Sequence, residues 1–430
     1  ELRNFLGSHF GYPGRDLTDE ERATRLRVAG RENEWIAYES LRKTAATLPP
    51  EARAAVSPAI LNFEERWKKE IFTDVDRGSA LLSEQCSGRL KFVRRFDPIR
   101  MTVEHRTLSE DRLKSGRSTE DGKRACVDVQ DPDQFLVTID DDRKAILRGV
   151  QKSLALLGIA EMKLLRDLRV CDFSFGFTRV GSTPTIRRDE KARGALPVRL
   201  NMFGWSPRGG RVPVYCSQQS NEAFYVRLDE ASVRGWLEAN GMNTRVCPSE
   251  RIGGLLIEDY LPFDQFLTAF RRETSVQRSA YPYAYTLLHT FAHQMIGVMS
   301  ELSGLDIGSF GEHLFVPDLA FLVYRRGTTM DLGNLSSMWR NYADPEGGNG
   351  VLQRLLMPEA LRCGSEPICM TLRGGACPDC VMIPESACLT RNELLSRSVL
   401  SGGGVPTWDA DRTELVGFRD IVLAQRPAGL

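Results

Sequence analysis

Neither sign of charge is in excess. In a chain of 430 residues, 57 Lys plus Arg meet 57 Asp plus Glu, so the formal charge is zero. That balance excludes a polycation binding nucleic acid over its whole surface and leaves room only for a local basic surface. Long apolar runs are scarce too. Residues 279–300 are the one passage without Asp, Glu, Lys or Arg that is long enough to test as a membrane span. Pro282, Thr286, His289, Thr290, His293 and Gln294 interrupt it at a spacing that leaves one polar stripe on an apolar helix, as expected of a core helix lining a polar contact. The chain is therefore expected not to enter a membrane. No charged segment followed by an apolar core opens the sequence, and the first residue is Glu1, so the numbering is expected to begin inside a longer gene product.

Cysteine is too sparse for a disulfide scaffold: there are ten, and Cys86, Cys126, Cys171, Cys216 and Cys247 stand singly. Isolated thiols of this kind fit a reducing compartment, and a cytoplasmic location is expected. Nucleotide and esterase signatures are missing as well. The nearest approach to a phosphate loop, residues 116–124, ends in Arg124 where a magnesium-binding Ser or Thr is required. No Gly-x-Ser-x-Gly elbow, DEAD-like acid motif or EF-hand loop occurs, which argues against an autonomous enzyme.

What is present is a globular composition, 42% hydrophobic, long enough for two to three domains. Residues 18–86 read as helices, and residues 88–125, with eleven Lys/Arg against six Asp/Glu, read as a basic, loop-like connector. Asp140, Asp141 and Asp142 open an amphipathic helical run expected to reach about Val170. Short β-like pieces follow at residues 173–180, 196–205, 212–217 and 223–228, then helices at 229–240, 262–274 and 283–303. A strand at 319–325 and helices at 335–342, 351–361 and 390–400 complete the pattern. The fold class expected is α+β: a helical N-terminal region (1–165), an α/β region with a small mixed sheet (166–280), a C-terminal four-cysteine zinc-binding domain (281–402) and a tail (403–430).

Five cysteines fall within residues 363–388. Cys369, Cys377, Cys380 and Cys388 have the spacing C-x7-C-x2-C-x7-C, with Cys363 as an alternative to Cys369. A C-x2-C knuckle brings two thiolates to one ion, and two flanking thiolates close a tetrahedron to water, so a structural zinc (Zn) site is expected. A dithiol redox pair at Cys377 and Cys380 is the competing reading, but no βαβ pattern surrounds it. His289 and His293 stand at i, i+4 on the uncharged helix and could face one metal, yet residue 290 is Thr where a metalloprotease carries its general base. Their bland reading is that of buried imidazoles with backbone or carboxylate partners. Arginine outnumbers lysine 47 to 10, and residues 187–211 carry seven Lys/Arg against two Asp/Glu beside Phe203 and Trp205. Arg187, Arg188 and Arg193 are the leading candidates for touching nucleic acid, through phosphate contacts flanked by stacking aromatics.

Four passages together carry a family resemblance: Gly176 to Arg179 (GFTR), Glu222 to Asp229 (EAFYVRLD), Leu288 to His293 (LHTFAH), and Gly375 to Cys380 (GACPDC) followed by Pro384 to Cys388 (PESAC) and by Arg391 and Asn392. The chain resembles the DrmB family of DISARM anti-phage systems over roughly residues 165–402, including the zinc-binding domain shared with MrfA-type repair helicases. The resemblance maps the family's cysteines onto Cys369, Cys377, Cys380 and Cys388. It implies a non-catalytic partner of a superfamily 2 helicase, DrmA in the DISARM case, in a complex that engages foreign DNA. Two other functions compete with it: a zinc-dependent hydrolase using His289 and His293, and a pure protein-interaction scaffold in a DNA-repair helicase complex.

Overall fold

A computed structural model describes residues 9–10, 19–71, 98–114, 116–120, 122–131, 140–174, 176–180, 198–203, 213–242, 244, 251–258, 280–326, 334–344, 350–385, 387–388, 390, 392–404 and 414–425. Arg187, Arg188, Arg193 and Trp205, and the helix expected at 262–274, lie outside these residues. The architecture combines helices with an antiparallel sheet and a C-terminal cysteine cluster, the α+β class expected.

Three N-terminal helices, α1 (Asp19–Val28), α2 (Glu32–Thr47) and α3 (Pro50–Glu70), share a small core of Leu26, Tyr38 and Trp67. Within the expected basic connector lies instead a helix, α4 (Pro98–Asp111). Pro98 suits its first position, and Ile99, Met101, Thr102 and His105 are buried, so the basic residues decorate a helix that has a core-facing side.

The central sheet has five strands in the order β1 (Cys126–Asp128), β2 (Ile159–Ser174), β5 (Tyr215–Leu228), β7 (Ala320–Arg325) and β6 (Phe310–Phe315). Every pairing is antiparallel rather than mixed. A separate hairpin joins β3 (Gly176–Val180) to β4 (Val198–Met202). The long helix expected from residue 140 stops early: α5 (Asp140–Leu156) gives way at Gly158, whose φ of +68 leaves the helical region. The chain then enters β2, where Met162 and Leu164 turn to the main core while Glu161 and Lys163 pair on the other face, a period-2 pattern that a helix cannot use. Beyond α6 (Glu230–Ala239), which Asp229 caps by accepting from the Ser232 N–H at 2.8 Å, comes the short α7 (Ile252–Glu258).

The helix that organises the rest is α8 (Ala280–Ser303), nineteen of whose residues are buried. Its apolar face joins β6, β7 and α5 in the main core. Its polar stripe grips the C-terminal backbone: Gln294 Nε2 donates to Ala360 O (2.7 Å), and Thr290 Oγ1 accepts from the Ser396 N–H (3.1 Å). After α9 (Leu335–Asn341) and α10 (Val351–Leu356) the cysteine region carries only α11 (Ile368–Arg373) and α12 (Ser398–Ser401) as α-helix among the described residues. The helix expected over 390–400 is mostly a looped segment, because Asn392 (φ 60) and Leu394 (φ 59) are left-handed and this backbone hydrogen-bonds to α8. A last helix, α13 (Phe418–Ala424), packs Phe418 and Val422 into the main core. Among the described residues, no helix is long and apolar enough to cross a membrane.

Candidate metal centres

The five clustered cysteines divide between two places. Cys363, Cys369, Cys377 and Cys380 converge, with all four sulfurs within 4.8 Å of one another. Cys388, expected among them, lies instead with His289, His293 and Glu312. Cys363, the alternative ligand, completes the four-thiol set alongside Cys369. The reason is local. After Cys380 the chain is drawn to α8: His293 Nδ1 meets Val381 O at 2.6 Å. The Asn392 side chain then brackets Ile383, its Oδ1 accepting from the Ile383 N–H (3.1 Å) and its Nδ2 donating to Ile383 O (2.7 Å). These bonds carry Cys388 away from the knuckle and towards His289.

The four-thiol set is shaped for a tetrahedral ion. Sγ separations are 3.3 Å (Cys363–Cys377), 3.6 Å (Cys377–Cys380) and 3.8 Å (Cys369–Cys380). A tetrahedron with Zn–S of ~2.3 Å has edges of about 3.8 Å. The four are free thiols, not disulfides. The Ser365 N–H lies 3.4 Å from Cys363 Sγ and draws this thiol below its usual range against the opposing effect of burial. Burial and its thiol neighbours push Cys369 up to about 11, and burial raises Cys380 as well. Crowded thiols cannot all ionise unless a cation shares the space.

Two features hold the frame rigid. Gly374 and Gly375 have φ of 63 and 77, and a Cβ on Gly375 would fall 2.8 Å from Met370 Sδ. Arg397, 1% exposed, ties the flanking loops together. Its Nη1 donates to Leu361 O, its Nε to Gly375 O at 3.3 Å, and its Nη2 lies 2.8 Å from Glu366.

The second cluster is deeper. His289, His293 and Glu312 are at most 1% exposed and Cys388 is 6% exposed. The imidazoles come from adjacent turns of α8, Glu312 from β6 and Cys388 from the C-terminal segment. Burial opposes an imidazolium at His289, but the Glu312 carboxylate outweighs it and lifts His289 to about 10. Burial likewise opposes ionisation of Cys388, and the facing imidazoles of His289 and His293 bring it down to about 6. Glu312 itself is held below its ordinary range by the two imidazoles, against its own burial.

Sequence reasoning paired His289 with His293 but missed their partnership with Glu312. The readable signal was an acid among Phe310, Leu314 and Phe315, in a segment whose strand was not recognised. A second missed feature is a cleft of roughly 960 Å³ bordered by Arg117, Lys123, Arg166, Arg169, Arg325 and Arg340, with three acids, Glu120, Asp167 and Glu222. Asp167 is already engaged by Arg112 (2.5 Å) and by the Ser220 hydroxyl (2.6 Å). Glu222 accepts from the Ser336 hydroxyl (2.5 Å).

Comparison with known proteins finds a curated relative. The chain is similar to the DISARM protein DrmB of Bacillus paralicheniformis, 26% identical over 191 residues. The match covers 42% of this chain and 31% of the relative, so the aligned part is under a third of that protein's length. No family model matches the chain.

Proposed function

We propose that this chain is a non-catalytic, zinc-holding accessory subunit of a superfamily 2 helicase complex in a DISARM-type anti-phage system, and that it engages DNA within that complex. The observation that carries the reading is the likeness to DrmB, over 191 residues, in a chain that also gathers four thiols for one ion. The thiol set would hold zinc as a closed, structural centre: all four ligand positions are protein sulfur, leaving none for substrate water. Full burial of His289, His293 and Glu312 likewise supports a packed cluster in place of a hydrolytic site.

DNA engagement is supported by the cleft beside β2 and β5, where six Lys/Arg face three acids, two of them hydrogen-bonded to the protein. Part of the basic 88–125 segment, Arg117 and Lys123, contributes to its wall. Arg side chains in a groove of this kind suit phosphate oxygens.

The test is DNA binding by the co-expressed helicase complex and by the isolated chain at two salt concentrations. The complex should bind more tightly, with affinity falling as salt rises. Changing Lys123, Arg169 and Arg340 together to Ala should weaken binding and flatten the salt slope by about one unit for each phosphate left without its cation. A parallel variant at Arg187, Arg188 and Arg193 separates the cleft from the Arg-rich segment. A complex that binds DNA no better than the helicase alone refutes the DNA role.

A further inference from the structure

We propose that His289, His293, Glu312 and Cys388 form a second metal centre, distinct from the four-thiol set, that takes a divalent ion of the zinc class and fastens the 381–396 segment to α8 and β6. This inference does not rest on the helicase reading.

The orientation of the imidazoles carries the argument. His289 Nδ1 lies 3.0 Å from Leu394 O, and His293 Nδ1 lies 2.6 Å from Val381 O. A carbonyl oxygen only accepts, so both Nδ1 atoms bear the proton and donate it. A ring that carries only that proton points the lone pair of its Nε2 inward, where a metal ion can take the place of a second proton. Metal-bound histidines characteristically donate their outer N–H to a carbonyl or carboxylate in this way, which fixes both tautomer and ring direction.

What the lone pairs meet is another acceptor. Glu312 Oε1 is 3.0 Å from His289 Nε2, and Oε2 is 3.1 Å from His293 Nε2. Close as they are, neither Glu312 oxygen nor His293 Nε2 makes a hydrogen bond of acceptable geometry. Cys388 Sγ is 3.3 Å from His289 Nε2 and accepts from the Asn392 N–H at 3.2 Å. Cys388 and His289 can share one proton between Sγ and Nε2, but no hydrogen bond serves the facing pair of His293 and Glu312. Buried acceptors set against each other are costly unless a cation lies between them.

A divalent ion resolves the conflict. With the carboxylate and the thiolate as ligands, its two charges are neutralised within the pocket. The donor separations of 3.0, 3.1 and 3.3 Å are near the edges of roughly 3.3–3.7 Å expected for tetrahedral Zn with bonds of ~2.0–2.3 Å. Two imidazoles, a carboxylate and a thiolate form a set that zinc accepts readily. The alternative is two buried imidazolium rings with centroids 4.4 Å apart.

A third group of His9, His105 and Asp318 shows the contrast. There Arg251 Nη2, 3.6 Å from Asp318, already supplies a positive charge, and the Tyr225 hydroxyl lies 2.9 Å from His105 Nε2. His105 Nδ1 and Asp318 Oδ2 also lack a hydrogen bond, but this carboxylate already faces a cation.

The test uses the full chain expressed with zinc, its metal content measured by mass spectrometry and its ligands by zinc X-ray absorption. Two zinc ions per chain are expected, with an averaged shell that combines sulfur at ~2.3 Å with nitrogen and oxygen at ~2.0–2.2 Å. His293→Gln should release one zinc and leave a sulfur-only shell. Cys377→Ser with Cys380→Ser should release the other and leave the mixed shell. One zinc in a mixed shell in the wild-type chain would support this centre while refuting the four-thiol site. One zinc with sulfur ligands only, or none, would overturn the proposal, and the wild-type spectrum decides it even if a variant fails to fold.

Discussion

Replacing Arg397 by Met tests the frame around the four thiols. The guanidinium is 1% exposed and is surrounded mainly by backbone acceptors: Leu361 O, Gly375 O at 3.3 Å, and on its outer side the Glu366 carboxylate at 2.8 Å. Methionine fills most of the same volume, so the cavity contribution is small. Two buried carbonyls lose their donor, at about 1–3 kcal/mol each. Glu366, 41% exposed, rehydrates, and loss of that pair costs at most about 1 kcal/mol. Relief from burying a guanidinium works in the other direction and takes back part of the sum. The net expectation is a loss of about 3 kcal/mol, a large fraction of the ~5–15 kcal/mol typical of a folded domain. Urea unfolding of the full chain followed by intrinsic fluorescence should show a lower midpoint with an unchanged slope. Arg397→Lys, a point charge without the planar fork, should fall between wild type and Met. A midpoint for Arg397→Met within about 0.5 kcal/mol of wild type would refute the reasoning, since surface substitutions reach that range.

Cys380→Ser should lower the melting temperature of the C-terminal region and release zinc, and a strong chelator should reproduce both effects, because zinc-binding free energy at such sites is largely folding free energy. Unchanged melting with full zinc content would contradict this. Asp318 gives a pH signature: burial opposes its ionisation, but the facing imidazoles of His105 and His9 hold it at about 2, below its ordinary 3.8. A depressed carboxyl adds stability above its unfolded value and loses it as the folded group protonates, so its contribution of about 2 kcal/mol should be complete above pH ~4 and vanish towards pH ~2. The stability gap between wild type and Asp318→Asn should close over that window, and a gap independent of pH would count against it. Gly417→Ala should cost about 1–3 kcal/mol. The new Cβ would sit 2.6 Å from Gly402 N and 2.8 Å from Leu400 O, backbone atoms that have little room to move. Differential scanning calorimetry of that variant reads the cost as a lower melting temperature, and an unshifted transition would show that the 400–402 turn yields easily.

The residues that were legible in the sequence were those whose signal is local. The uncharged helix α8, the Asp229 cap of α6 and the C-x2-C knuckle each announce themselves within a few residues. The limits of α5 were not legible, because Leu154, Leu157, Met162 and Leu165 continue a helical stripe, and only the left-handed Gly158 ends the helix and lets Met162 and Leu164 alternate as a strand. The placement of Cys388 was not legible either. The symmetric spacing around Cys377 and Cys380 favours Cys388, but the choice is made by long-range bonds: His293 to Val381 O, His289 to Leu394 O, and Asn392 to both sides of Ile383. The partnership of Glu312 was missed for the same reason, since His293 and His289 stand about twenty residues earlier on a helix and only the packing of β6 beside α8 brings them together.

The central claim is that the chain works as the partner of a helicase, and association tests it most directly. The tagged full chain is co-expressed with the superfamily 2 helicase of its own locus and passed over affinity resin and a sizing column at low salt. The account predicts one stoichiometric complex carrying zinc, with its yield cut sharply in the Cys380→Ser variant. Chain and helicase eluting apart, with the chain folded and zinc-loaded, would contradict it.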